Sequence, residues 1–258
     1  MLLECKINVL PEPQKALWKQ LNEVPEKYVL YGGTAIALRY GHRQSVDFDF
    51  FSTDQSDIDS LTKDLSFIKN NPPCDEYVKL RGEIKHFHNH NHIDYFLETI
   101  TPSKPYDPQN SIVKVTFANG KDLIPGAIKS PDEALGNGIK IASPLDLLAT
   151  KIIAMGRRSK ERDFRDLAEL IKNGNNLQDG FEAAVAISRL SPLGVNLRYD
   201  RLKEDLKAKT IYSILPNDPE CAEIIRESAA KLDIDKALKT KLKAEPVNYK
   251  QIGIGMGR

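Results

Sequence analysis

Two carboxylates, Asp47 and Asp49, stand one residue apart in the run Val46-Asp47-Phe48-Asp49-Phe50-Phe51. Read as a strand, the run sends both acids to one face and Val46, Phe48 and Phe50 to the other. Two like charges on one face repel, and the arrangement is costly unless a cation neutralises it. Paired Asp oxygens suit Mg²⁺ or Mn²⁺, which keeps its remaining positions for water and substrate phosphate. Upstream, Gly32-Gly33-Thr34 follows the apolar run Tyr28 to Tyr31 and precedes good helix formers. Glycines between a strand and a helix let a phosphate approach the backbone, where free N–H groups and the helix dipole favour an anion. Thr34 can cap that helix or donate to a phosphate oxygen. Neither half is specific alone. The order strand, Gly-Gly, helix, strand, Asp-x-Asp within 20 residues is far more so. The bland alternative is a Gly-Gly turn followed by a solvated acidic strand.

A second set of charged residues lies in LLATKIIAMGRRSKERDFRDLAEL. Leu147, Leu148, Ile152 and Met155 form a helical core stripe with Lys151 polar among them. Asp163 and Asp166 are three apart, so they occupy adjacent turns of one helix face. A Lys–Asp ion pair joining two helices is the structural alternative for these residues. The run Arg157-Arg158-Ser159-Lys160-Glu161-Arg162 falls in the connecting loop; it can meet an RNA backbone or be solvated. His86, His88, His90 and His92 alternate, and a continuous strand would place all four on one face as a transition-metal cluster does. The turn-forming Asn89-His90-Asn91 breaks that alignment.

The segment GGTAIALRYGHRQSVDFDFF is similar to the signature of polymerase-β-type nucleotidyltransferases. More closely, it resembles the first motif of the AbiEii/AbiGii family of nucleotidyltransferase toxins, matched by Gly32, Gly33, Thr34, Arg43, Ser45, Asp47 and Asp49. Lys151, Arg157, Arg162, Asp163, Asp166 and Leu167 fit the family's later pattern, so the resemblance covers about two thirds of the chain. It implies an α+β fold. Residues 1–142 would form a polymerase-β-like domain with a mixed sheet flanked by helices. Residues 143–258 would form a helical bundle whose first helices complete an active-site cleft. The implied reaction moves a nucleoside monophosphate from a nucleoside triphosphate to an acceptor hydroxyl with Mg²⁺. Asp47 and Asp49 would hold the metal, with a third carboxylate from a neighbouring strand. Asp94, in His92-Ile93-Asp94-Tyr95-Phe96, is the candidate for that position, as metal ligand or base. Lys151 would meet the triphosphate, and Asp163 or Asp166 would complete the site; which acid is the third catalytic carboxylate stays open. Gly32, Gly33, Thr34, Arg43 and Ser45 would seat the nucleotide. Kinship further implies an RNA acceptor, such as a tRNA 3′ end, and a cognate antitoxin. Protein nucleotidylation, a non-catalytic nucleotide-binding module and a metal-dependent phosphodiesterase are the rival readings.

These side chains need elements to hold them. Helical spacing predicts helices at 12–23, from Thr34 to about Tyr40, and from Ser56 to about Lys69. Alternation predicts strands at Val46 to Phe51, Tyr77 to Arg81, Glu83 to Phe87, Ile93 to Leu97 and Ile112 to Phe117. Beyond Ser143-Pro144 the pattern is helical: 144–156, 161–173, 179–190, 197–209, 218–231 and 234–243. Asn173-Gly174-Asn175-Asn176 interrupts the series, and the Gly-rich tail from Ile252 is expected to fray.

The chain has 258 residues, 41% hydrophobic and 28% charged, with a net charge of +1. That suits one large globular domain or two modest ones and excludes a global field toward nucleic acid or anionic membrane. Glu4 and Lys6 interrupt the apolar N-terminal stretch, and no apolar run reaches the length of a membrane span. Cys5, Cys74 and Cys221 are scattered and odd in number, so neither a zinc site nor a disulfide framework is expected, and a reducing cytoplasm is the simplest setting.

Overall fold

The computed structural model describes residues 2–52, 58, 65–70, 92–98, 112–119, 130–158, 160–187 and 202–237. The expected strands at 77–81 and 83–87, the Asn89-His90-Asn91 turn, His86, His88, His90, Cys74 and the Gly-rich tail lie outside these residues.

Phe48 and Phe50 bury one face of the strand that carries the acid pair, and that face organises the sheet. β1 (Leu2–Leu3), β2 (Val29–Tyr31), β3 (Asp47–Ser52), β4 (His92–Glu98), β5 (Ile112–Asn119), β6 (Asp132–Ala134) and β7 (Lys140–Ile141) form one mixed sheet in the order β1-β6-β7-β2-β3-β5-β4. β3 pairs antiparallel with β2 and parallel with β5, and β5 pairs antiparallel with β4. On the apolar face, Phe48 stacks on Trp18 at 6.1 Å between ring centroids and Phe50 on Phe117 at 5.4 Å. Trp18 comes from α1 (Glu12–Trp18), which covers that face; the predicted helix 12–23 continues past Trp18 only as a 3₁₀ turn at Leu21–Glu23.

The other face receives α2 (Gly32–Tyr40), buried at every position from Thr34 to Arg39. A helix apolar all round must be covered on both sides. The sheet lies on one side, and α4 (Pro144–Met155) and α5 (Glu161–Lys172) lie on the other. The Arg39 guanidinium ties α2 to the sheet, donating to Asp132 Oδ2 and the Ala142 carbonyl at 2.7 Å each. α3 is a short helix at Ser66–Asn70, within the end of the predicted helix from Ser56 to about Lys69, most of whose earlier part lies outside the described residues. α6 (Leu177–Ile187) crosses α4 closely at Gly180, where a Cβ would meet Leu148 Cγ at 2.4 Å. α7 (Ala208–Ile214) and α8 (Pro219–Ala229) complete the helical part. The predicted helix 197–209 is described only from residue 202. It is a short turn at 202–205, and α7 begins afresh after Lys207 adopts extended backbone. One hydrophobic core runs without a break from Leu10 in the first part to Ala237 in the last. Among the described residues no helix is long and apolar enough to cross a membrane.

Candidate functional site

α2 begins at Gly32, directly after β2, and leaves Gly32 at φ +74°. Only glycine adopts that conformation without cost. The glycine pair has a second task. A Cβ on Gly32 would lie 2.6 Å from Asp49 Oδ2, and one on Gly33 would lie 2.3 Å from Arg43 Nη2. The two glycines therefore clear space for two functional side chains. Gly32→Ala is expected to destabilise by about 1–2 kcal/mol from the backbone conformation alone, with a further penalty from the collision. Gly136, at φ +97° with nothing within 4 Å of where a Cβ would stand, isolates the first contribution. Urea unfolding should show Gly32→Ala to be worse than Gly136→Ala; equal losses would mean that Asp49 moves aside freely.

Thr34 neither caps the helix nor faces outward. Its hydroxyl donates to the Asp47 carbonyl and lies 2.8 Å from Ser45 Oγ, and both hydroxyl residues are buried. The three residues lock the start of β3 onto α2. Gln14 adds a bond to the Val46 carbonyl at 3.0 Å. β3 then carries Asp47 and Asp49 on one face. Opposed residues on neighbouring strands share a face, so Asp49, Thr116 and Asp94 form one row across β3, β5 and β4, with Lys114 opposite Asp47. Burial pushes the Asp49 carboxyl up, and the charge of Asp47 adds to it; Lys114, with a hydrogen bond from Thr116, works the other way. That is the electrostatic profile of a site short of positive charge.

Asp94 differs. Burial opposes its charge, but His92 at 3.1 Å, Thr116 at 2.8 Å and the Lys114 ammonium at 3.1 Å outweigh it and hold the carboxyl down to about 2. Among the described residues no three His, Cys, Asp or Glu side chains converge on one point. Asp47 and Asp49 adjoin on β3, and Asp94 stands on the same face two strands away, where its charge adds to the upward push on Asp49. The donor set that remains, two carboxylates on an open wall, fits Mg²⁺ taken up with a phosphate ligand rather than a closed protein cage.

Opposite stand α4 and α5. Ser143 caps α4 by accepting from the Asp146 amide, with Pro144 at the first helical position. α4 presents Lys151, whose ammonium lies 3.1 Å from Asp163 Oδ1 and 2.7 Å from Asp166 Oδ2. Asp166 is fully buried. Its Oδ1 accepts from Arg43 Nε at 2.6 Å and from His42 Nε2 at 2.7 Å, and its Oδ2 from Arg43 Nη2 at 2.8 Å. Burial works against this charge, and the His42 and Arg43 hydrogen bonds with the Lys151 charge overcome it, holding the carboxyl well below the usual range. Asp166 therefore ties α5 to the turn after α2 and to α4 through His42, Arg43 and Lys151. Asp163 Oδ2 is buried with no hydrogen-bond partner, and Arg158 Nε approaches it at 3.6 Å. His42 lies 124 positions from Asp166 in the chain. Only the Gly41-His42-Arg43 turn out of α2 hints at it, and nothing in the local pattern marks it as a partner.

Between the walls lies a cleft of about 520 Å³. Asp47, Asp49, Lys114 and Thr116 line it from the sheet, and Lys151 and Asp163 from the helices. Gly32, Gly33, Thr34, Arg43 and Ser45 also reach it, whereas Asp166 is buried behind its surface and Asp94 adjoins it next to Thr116. Arg157, Arg158 and Arg162 are exposed at its rim. A larger hollow of about 620 Å³ opens among the C-terminal helices, where Lys203, Lys207 and Arg226 stand with Asp233 and Asp235; those two acids lie at a helix start rather than on a strand, and Asp233 accepts there from the Lys236 amide. Two acids facing a cluster of cations across a cleft is an arrangement for a substrate carrying several negative charges and a neutralising metal.

The sequence profile of the family described as "Nucleotidyl transferase AbiEii toxin, Type IV TA system" matches residues 16–244. An uncharacterized protein of Aquifex aeolicus (strain VF5) is 26% identical over 170 residues, 65% of this chain and 70% of its own length. Among solved structures, JHP933 from Helicobacter pylori is similar at a TM-score of 0.51 and 19% identity, covering 90% of this chain and 92% of that one. MenT4, the nucleotidyltransferase toxin Rv2826c from Mycobacterium tuberculosis H37Rv, is similar at 0.56 and 16%, covering 90% and 86%. At such identities the likeness is one of fold: a sheet with helices, then a helical part.

Proposed function

Because this chain belongs to the AbiEii nucleotidyl transferase toxin family of type IV toxin–antitoxin systems, we propose that it transfers a nucleoside monophosphate from a nucleoside triphosphate to a hydroxyl of RNA, in the cleft between β3 and α4. The observation that carries the reading is the pairing of Asp47 and Asp49 on one wall with Lys151 and an exposed arginine rim on the other.

Asp47 and Asp49 would hold Mg²⁺ or Mn²⁺. Such an ion, when bound, neutralises phosphate charge and polarises the phosphorus centre. The protein groups position the rest. The N-terminus of α2 offers backbone N–H groups to a phosphate. Lys151 spends two of its three N–H groups on Asp163 and Asp166, which leaves one for an oxygen of the leaving pyrophosphate. Arg43, gripped by Asp166, holds the turn that leads into Ser45 and Asp47. In phosphoryl transfer, positioning and charge neutralisation supply most of the rate. Residues 1–142 would act as the transferase half and 143–258 as the helical half whose α4 and α5 close the cleft. A cognate antitoxin is the expected partner.

Arg157, Arg158 and Arg162 favour RNA as acceptor, since a row of exposed guanidiniums at the mouth matches a phosphodiester backbone better than a protein hydroxyl. The test is label transfer. Each of the four α-labelled triphosphates is supplied with Mg²⁺ to total RNA or to total protein, with wild type and with Arg157, Arg158 and Arg162 all replaced by Gln. RNA should take the label from wild type, with the triple variant weakened and its residual activity less sensitive to salt. Label confined to the protein fraction would replace RNA as the acceptor.

A further inference from the structure

Lys114 is a charged residue of the cleft that belongs neither to the acid pair nor to the helical wall. β5 runs between β3 and β4, and its register places Lys114 opposite Asp47 and Thr116 opposite both Asp49 and Asp94. Lys114 and Thr116 therefore share the face of the acid pair. The Lys114 side chain keeps 32% of its exposure and lines the cleft. Its ammonium lies 3.1 Å from Asp94 Oδ2. The other oxygen of Asp94 accepts from Thr116 Oγ1 at 2.8 Å and lies 3.1 Å from His92 Nε2. Both oxygens of Asp94 are thus committed to neighbours on the sheet, and its side chain is 12% exposed while Lys114 forms part of the cleft surface.

We propose that Lys114, anchored by Asp94, is a catalytic residue whose ammonium binds the phosphates of the nucleotide from the sheet side of the cleft, facing Lys151. The proposal rests on the nucleotidyltransferase reading and assigns Asp94 as a positioning residue rather than a metal ligand. Two acids suffice to bring in one divalent cation. A fixed ammonium beside them stabilises the negative charge that gathers on the phosphates, and it needs no reorganisation when the reaction begins. An Asp behind it stops the flexible lysine stem from folding onto Asp49. A bystander pair on a sheet surface would contribute little to stability and nothing to nucleotide binding.

Three measurements on the intact protein test this: triphosphate binding with Mg²⁺, Mn²⁺ binding alone, and label transfer. The variants are Lys114→Met, Lys114→Arg, Asp47→Asn and the double Asp94→Asn/Lys114→Met, which removes one charge of each sign. Lys114→Met should lose about a hundredfold in kcat/KM and bind triphosphate more weakly, yet bind Mn²⁺ at least as well as wild type. Lys114→Arg should recover about a tenth of the wild-type rate, since a guanidinium keeps the charge but not the shape. The double variant should bind Mn²⁺ within about threefold of wild type and transfer no worse than Lys114→Met, because Asp94 acts through Lys114. Lys114→Met that binds and transfers within about threefold of wild type would overturn the proposal. So would a double variant that loses Mn²⁺ as Asp47→Asn does, which would return Asp94 to the metal. Equal transfer by wild type and Asp47→Asn overturns the nucleotidyltransferase reading instead, and triphosphate affinity still decides the case of Lys114. A wild type that binds no triphosphate overturns both.

Discussion

Asp49→Asn is expected to lower nucleotide transfer by about 10³-fold or more while leaving the protein at least as stable as wild type at neutral pH. The two halves of this result have one cause. Asp49 sits against α2, where a Cβ on Gly32 would already touch it. Burial pushes its carboxyl up, and Asp47 beside it pushes in the same direction. The sign follows from linkage. A carboxyl whose folded pKa is raised above its unfolded value binds its proton more tightly in the folded state, so the native state gains stability as pH falls and loses it as pH rises. At neutral pH the charged Asp49 therefore opposes folding. An Asn of the same shape removes that opposition together with the oxygen charge that would hold a metal. Stability spent on function is a common trade at active sites. Mg²⁺ should reverse the order: an ion that binds only the native state raises its stability by mass action, for wild type but not for the variant. Thermal unfolding with EDTA and with Mg²⁺, beside the transfer rate, checks each part. A variant that melts lower than wild type in EDTA, or that transfers within tenfold of it, would remove Asp49 from the proposed role.

The sequence discloses the local half of this site and conceals the other. Gly32 to Phe51 reads directly, because strand alternation and the Gly-Gly step are short-range patterns. The helices at 144–155 and 161–172 read directly too, through Ser143-Pro144 and the apolar stripes. The purpose of the glycines does not. A phosphate cradle and a clearance for Asp49 and Arg43 demand the same residue, and only the arrival of those side chains distinguishes them. Thr34 reads as a cap because it follows two glycines, but the helix starts earlier, and the hydroxyl serves β3 instead. Lys114 is invisible for a different reason. Nothing near it in the chain is unusual, and its position opposite Asp47 depends on the register of β5 against β3. The strands Leu2–Leu3, Asp132–Ala134 and Lys140–Ile141 are too short to show any period, so three of the seven strands could not be read from alternation.

Asp166 shows how far the long-range half governs the fold. Asp166→Leu is expected to destabilise by about 3–5 kcal/mol, although the residue is not on the cleft surface. The reason is what the substitution leaves behind. Arg43 and Lys151 both direct cations at this carboxylate, their side chains 17% and 8% exposed, and His42 completes the shell. Removing the acid leaves the half-buried Arg43 and the buried Lys151 short of a counter-charge, which costs more than the cluster contributes when intact. Asp163, at 3.1 Å, remains for Lys151, but Arg43 is left with the Gln44 carbonyl. Transfer should therefore fall as well, because the turn into Ser45 and Asp47 loses its anchor. Asp166→Asn separates shape from charge: it keeps an oxygen that can accept from Arg43 and should lose less stability than Leu. The pH dependence carries its own sign. The folded pKa of Asp166 lies below its unfolded value, so its contribution is fully present above the unfolded value, about 3.9, and disappears as pH falls through the folded one. Asp94, held down to about 2, adds to the same acid limb. Wild type should thus lose urea stability steeply below about pH 4, and Asp166→Asn should lose it less steeply from a lower plateau. A variant with the wild-type plateau at pH 7 would show that Arg43 and Lys151 find other partners, and that α2, α4 and α5 are held by their apolar contacts alone.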